Sequence, residues 1–201
     1  MTAANRADPA HRLPVFLMGM KHSGKTTIGR RLAELWNCRF QDLDDYVVSD
    51  YLCGPKGSTA SGSVGIRDVY RILGLDAFKE AEARASEAMI DAAKEVGYRA
   101  VAALGGGTIE NNAAMKTLSR RGTLVYLEEE FDLLFARIVK GGTPAFLDPA
   151  DPEASFRALY EKRTALYRQR AAISVRLAGL SIEPALELVH QKIEEYMNGG
   201  Q

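Results

Sequence analysis

Gly19-Met20-Lys21-His22-Ser23-Gly24-Lys25-Thr26 constrains this chain more than any other stretch, because it fits the pattern G-x-x-x-x-G-K-[ST] at every fixed position. Glycines let the backbone curl until successive N–H groups converge on phosphate oxygens. The lysine adds positive charge for the outer phosphates, and the threonine hydroxyl can ligate Mg²⁺. Such a loop needs a strand before it and a helix after it, since the helix N-terminus lends its partial positive charge to the anion site. The flanks supply both. Leu13 to Met18 is an apolar run of strand length with only Pro14 against it, and Ile28, Leu32, Leu35 and Trp36 recur at helical spacing. The bland alternative is a glycine-rich turn without a ligand. The context favours a nucleoside triphosphate held by Gly19, Met20, Lys21, His22, Ser23, Gly24, Lys25, Thr26 and Thr27.

The rest of the chain bounds what else is feasible. Twenty-six basic and 26 acidic residues cancel to a formal net charge of zero, so there is no electrostatic footprint for nucleic acid or an anionic membrane. Cys38 and Cys53 form neither a metal-ligand spacing nor a disulfide framework, which fits a reduced, cytoplasmic setting. Residues 1–12 are polar, without the apolar centre of a signal peptide, and read as a flexible tail. No apolar run reaches bilayer length. Residues 13–201 then read as one domain, expected to be a monomer.

Strand and helix signals alternate along that domain. Strands are expected at Leu13–Met18, Arg39–Leu43, Arg99–Leu104, Thr123–Leu127 and Ile173–Leu177. Helices are expected after the loop, then at Tyr46–Leu52, Ile66–Leu73, Leu75–Val96, Asn112–Arg120, around Phe131 to Ile138, at Glu153–Arg170 and at Pro184–Met197, with Gly74 as a break. Cys53 to Val64 is rich in Gly and Ser and reads as a loop. Thr143 to Pro152, with its prolines, reads as another. Five strands separated by helices predict an α/β three-layer sandwich around a parallel sheet, with ligands beyond the carboxyl ends of the strands. The glycine-rich loop, Asp42 to Asp45, and Gly105-Gly106-Gly107 all follow strands and should share that edge.

Several residues at this edge suit phosphoryl transfer. Asp42 and Asp44, spaced i, i+2 at a strand end, could divide support of a metal and orientation of an attacking hydroxyl. Helix capping is the alternative for any of Asp42, Asp44 and Asp45. Arg163 interrupts the apolar stripe of Phe156, Leu159, Tyr160, Leu166 and Tyr167, so it either snorkels to solvent or meets an anion in a cleft. Glu82 lies in line with Phe78, Ala85 and Met89, one turn after Lys79, and a surface salt bridge is the alternative there. The glycine triplet lets a ligand approach the backbone; a tight turn is its alternative. His11, His22 and His190 lack partners that would suggest catalysis.

Taken in order, the glycine-rich loop, Asp42-Leu43-Asp44, Phe78-Lys79-Glu80-Ala81-Glu82, the glycine triplet, Thr143-Pro144 and Arg163-Thr164-Ala165-Leu166-Tyr167 resemble the shikimate kinase family from Pro14 to Ile193. The resemblance implies a P-loop NTPase fold of the nucleoside monophosphate kinase-like type. Its substrate-binding segment would lie at about 44–95 and its lid at about 141–152. It implies transfer of the γ-phosphoryl group of ATP to the 3-hydroxyl of shikimate, with Mg²⁺ as cofactor. By the same resemblance Lys25 and Asp44 are catalytic, Asp44 as base or orienting group. Thr26 contacts the metal directly and Asp42 does so through water. Arg137 packs on adenine, Arg163 and Lys79 face the substrate carboxylate, Glu82 steadies the basic group, and Gly105, Gly106 and Gly107 contact substrate through the backbone.

The sequence departs from that family in three places. Lys79 stands where an arginine is usual, and lysine cannot make a planar bidentate contact. Thr143 stands where the lid usually carries an arginine, and Gly141 to Asp151 has no basic residue at all, leaving Lys21, Lys140 or another chain to compensate. Cys53 to Val64 lengthens the substrate-binding segment. Two other readings stay open: a gluconate-kinase type of enzyme acting on another polyol or sugar acid, and a catalytically impaired nucleotide-binding regulator.

Overall fold

The computed structural model describes residues 14–54, 64–140 and 147–199. The expectations for the tail at 1–12 and for Thr143 and Pro144 lie outside these residues, as does most of the loop from Cys53 to Val64.

Five strands form one parallel sheet: β1 (Val15–Met18), β2 (Arg39–Asp42), β3 (Ala100–Ala103), β4 (Thr123–Glu128) and β5 (Ile173–Arg176), in the spatial order β2-β3-β1-β4-β5. β1 lies at the centre, with Leu17 opposite Ala103 on one side and Val125 on the other. A strand with sheet on both edges and helices on both faces must be apolar throughout, and all four residues of β1 are buried.

The period-two alternation of side chains sorts the core into two halves. Val15, Leu17, Val101, Val125 and Leu127 meet α1 (Lys25–Leu35) and α7 (Ile182–Asn198) through Ile28, Leu32, Val189 and Ile193. Phe16, Met18, Ala102, Leu124 and Tyr126 face the larger layer. That layer is built from α2 (Leu43–Cys53), α3 (Ile66–Glu95), α4 (Asn112–Arg121), α5 (Phe131–Val139) and α6 (Pro152–Arg170). Each fully buried Phe or Leu in these halves contributes about 1.5–3 kcal/mol by leaving water. The expected three-layer α/β architecture is present.

Two local differences from the sequence reading, and one expected break, bear on function. β2 ends at Asp42 and α2 begins at Leu43, three residues before the expected Tyr46. Asp42 is the N-cap, its Oδ1 accepting from the Asp44 N–H at 3.2 Å, so Asp44 and Asp45 sit in the first helical turn rather than on the strand. The break expected at Gly74 is present: α3 is two helical stretches meeting at a kink there, where Gly74 adopts φ 75°, ψ 175°, outside helical geometry. A 3₁₀ turn, Thr108–Glu110, follows the glycine triplet and is not evident in the sequence pattern.

Candidate active site

The loop between β1 and α1 carries three residues of positive φ: Gly19 at 153°, His22 at 65° and Gly24 at 91°. Glycine takes that conformation freely, whereas His22 must be held in it. Gly24 is the N-cap of α1, so the first free N–H groups of the helix open into the loop. Lys25 folds back across it and is buried. Its Nζ donates to the Gly19 and Met20 carbonyls at 3.0 and 2.9 Å. Burial pushes its pKa down to about 8, against the opposing pull of Asp44 and Asp42. Ser23 Oγ is buried without a hydrogen-bond partner among the described residues, an orphan that an anionic oxygen would satisfy. Thr26 and Thr27 are exposed at the start of α1, and Met20 is buried beneath.

The end of β2 adjoins this loop. Thr26 Oγ1 donates to Asp42 Oδ2 at 3.0 Å, so an alcohol and a carboxylate oxygen stand together at a helix N-terminus. Burial raises the Asp42 pKa, and the hydrogen bonds from Thr26 and Asp44 work against it. Asp44 is shifted further, to about 6, first by burial and then by the charge of Asp42, with Lys25 pulling the other way.

The glycine triplet lies against three of these groups in turn. A Cβ on Gly105 would stand 3.0 Å from Asp44 Oδ1, one on Gly106 would stand 3.2 Å from the Lys21 backbone nitrogen, and one on Gly107 would stand 3.5 Å from Arg163 Nη2. A side chain at Gly105 or Gly106 would crowd the site, whereas one at Gly107 would make ordinary contact with Arg163. Tyr167 on α6 secures the triplet from behind, its hydroxyl donating to the Gly106 carbonyl at 2.6 Å while its ring stacks on Tyr126.

Glu82 and Arg163 flank the triplet. Glu82 is buried, and its carboxylate accepts from Thr108 Oγ1 at 2.6 Å and Asn111 Nδ2 at 2.8 Å. Burial raises its pKa; those two hydrogen bonds and the charges of Lys79 and Arg163 oppose the rise. Lys79, half-buried, offers its carbonyl to Asn111 Nδ2 at 2.8 Å. The Arg163 side chain is only 20% exposed, so it does not snorkel out. It meets an anion inside the protein, Glu110, at 2.7 Å.

Arg137 on α5 bridges the nucleotide side. Its Nη1 donates to the His22 carbonyl at 3.1 Å and to Glu129 Oε2 at 3.2 Å, and Glu129 also accepts from the Gly179 N–H. Four residues here escaped the sequence reading: Thr108, Glu110, Asn111 and Arg67. The first three sit directly after the glycine triplet, and that adjacency was the available signal. Arg67, in the first turn of α3, lies close enough that its charge lowers the pKa of both Lys21 and His22, behind the larger effect of burial in each. Among the described residues no helix is long and apolar enough to cross a membrane.

The shikimate kinase family model matches residues 21–195. The chain is 30% identical over 186 residues to the shikimate kinase of Bordetella avium, covering 92% of this chain and 81% of that one. It is 34% identical over 138 residues to the shikimate kinase of Chlamydia pneumoniae, covering 69% and 71% respectively. A solved shikimate kinase from Acinetobacter baumannii in complex with shikimate matches with a TM-score of 0.72 and 26% identity over 94% of each chain.

Proposed function

The chain belongs to the shikimate kinase family, and from that premise we propose that it transfers the γ-phosphoryl group of ATP to the 3-hydroxyl of shikimate. One observation carries the reading: the glycine triplet runs directly between Asp44, beside Gly105, and Arg163, beside Gly107. A hydroxylated carboxylic acid lying along bare backbone would meet a base at one end and a guanidinium at the other.

Each group has a task that its surroundings support. The P-loop N–H groups and Lys25 Nζ hold the β- and γ-phosphates. Asp44 accepts the proton as the hydroxyl oxygen forms its bond to phosphorus and the bond to the ADP oxygen breaks; a carboxyl shifted to about 6 is a better base than an ordinary aspartate and is still ionised at neutral pH. Arg163 binds the acceptor carboxylate, with Lys79 nearby, and Glu82 steadies that side through Thr108 and Asn111. Arg137 serves the adenine. Hard oxygen donors suit Mg²⁺, and Thr26 with Asp42, the latter through water, would hold it. When bound, the metal neutralises charge on the phosphates. Lys21 and Arg67 supply further positive charge above the loop, on a chain whose lid segment has no basic residue of its own.

The test is ADP release with ATP, Mg²⁺ and either shikimate or gluconate, with the product identified by mass. Turnover with shikimate is expected. Rapid phosphorylation of gluconate without shikimate turnover would defeat the proposal, as would tight ATP binding with no turnover of either. Arg163→Ala should raise the KM for shikimate by roughly tenfold or more while leaving the KM for ATP nearly unchanged.

A further inference from the structure

Glu110 ends the 3₁₀ turn behind the glycine triplet, and its N–H donates to the Gly107 carbonyl at 2.9 Å. Both of its carboxylate oxygens are engaged. Lys162 Nζ lies 2.6 Å from Oε1, while Arg163 Nε and Nη2 reach Oε2 at 2.8 and 2.7 Å. Burial works to raise the Glu110 pKa, but the hydrogen bonds from Lys162 and Arg163 prevail and hold it below the ordinary glutamate value. The carboxylate therefore stays ionised at working pH.

A guanidinium has two edges that can grip a carboxylate: one made by Nε and Nη2, the other by Nη1 and Nη2. Glu110 takes the first edge. Among the described residues no partner takes the second edge, which is left for another carboxylate, and the guanidinium lies at the triplet, its Nη2 3.5 Å from where a Gly107 Cβ would stand. Lys162 matters to the charge balance, because two cations around one anion leave the cluster attractive to a second anion. A long arginine side chain would otherwise lose rotamer freedom on binding, and clamping it beforehand removes that cost from the binding step.

We propose that Glu110 is a positioning residue for the acceptor: it holds the Nε–Nη2 edge of Arg163 so that the opposite edge is presented to the acceptor carboxylate, in a cluster that Lys162 keeps net positive. The inference rests on the reading that Arg163 binds that carboxylate. Glu110 is built to stay in place as the acceptor adds, since its second oxygen is tied to Lys162 and its N–H to Gly107.

Steady-state kinetics on the full chain test this, with E110Q, E110D, R163A and the double variant E110Q/R163A. E110Q is expected to raise the KM for shikimate by roughly tenfold, with kcat and the KM for ATP changed less than about twofold. E110D keeps the charge at a longer reach, so its KM should fall between wild type and E110Q. In the R163A background, E110Q should add almost nothing. A shikimate analogue with a carboxamide in place of the carboxylate should be indifferent to E110Q. An E110Q variant with an unchanged or lowered KM, beside an R163A variant with a raised one, would overturn the role of Glu110 and leave that of Arg163 standing. An R163A variant with unchanged KM would instead remove the reading beneath it. An E110D variant no better than E110Q would count against the clamp, and should the glutamine variant not fold, an E110D variant with the wild-type KM for shikimate would overturn it.

Discussion

Burial beside Gly105, then the charge of Asp42, push the Asp44 carboxyl up to about 6, with Lys25 pulling it part of the way back. A general base must be ionised, so kcat/KM for shikimate should fall about tenfold per pH unit below pH about 6. Lys25 must be protonated to hold phosphate, and its pKa of about 8 places the alkaline limb of the profile there. The two groups interact, so the limbs belong to the pair. A profile flat from pH 5 to 7 would remove Asp44 as the base. The same shift acts on stability. A carboxyl whose folded pKa is raised above the unfolded value of about 3.9 contributes stability that is complete below that value and lost as pH rises through the folded one. Asp44→Asn should therefore abolish most turnover, spare ATP binding, and stabilise the free protein at pH 8 by on the order of 2 kcal/mol, or about 5 °C in Tm. That gain should vanish below pH about 4. A variant no more stable than wild type at pH 8 would show that Asp44 carries no such strain.

At the scale of elements, the proposed function makes α6 the part that would couple acceptor binding to the glycine triplet. It carries Arg163 and, one turn later, Tyr167, whose hydroxyl donates to Gly106 at 2.6 Å from within the core. Tyr167→Phe removes that donor and leaves the Gly106 carbonyl without it, at a cost of about 1–2 kcal/mol. The triplet should then lose its fixed distance from Asp44 and Arg163. We expect a raised KM for shikimate, a lowered Tm and an almost unchanged affinity for ADP, measured by kinetics, thermal unfolding and calorimetry. An unchanged shikimate KM would confine Tyr167 to the core. Much of this was legible in the sequence, because the apolar stripe of α6, the break at Gly74 and the strand before each loop are local periodicities. The start of α2 was missed because Asp42 serves as both strand end and N-cap. The 3₁₀ turn was missed because three residues are too few to show a period. Adjacency to the triplet could have flagged Glu110, but its pairing could not be read, since its partners on α6 are far along the chain and only the fold brings them together.

Over the whole molecule the charges cancel, yet the phosphate site gathers cations from separate elements: Lys21 and Lys25 from the P-loop, Arg67 from α3 and Arg137 from α5. For Lys21 and Lys25 this follows from the parallel sheet, which sends every strand-to-helix connection to the same edge, while Arg67 and Arg137 reach the site from the first turn of α3 and the last turn of α5. The sequence rule located the edge correctly for the P-loop, Asp42 and the triplet, whose chemistry is written in short motifs. It could not find Arg67, which is an ordinary exposed residue in a helical first turn until the fold sets it beside Lys21. Phosphoryl transfer develops charge on the equatorial oxygens, and a well-placed arginine can contribute orders of magnitude in rate. From Gly141 to Asp151 the chain has no lysine or arginine to bring down on those oxygens. We propose that the charge comes instead from Lys21 and Arg67, at the walls of the site. Arg67→Gln is accordingly expected to lower kcat by roughly 10- to 100-fold with little effect on the KM for shikimate. It should also let Lys21 hold its proton to higher pH, because Arg67 is one of the groups depressing it. Lys21→Gln should lower kcat as well, and the two losses should not add if both cations act on the same phosphate. Wild-type kcat in Arg67→Gln, beside a large loss in Lys21→Gln, would assign the work to the P-loop lysine alone.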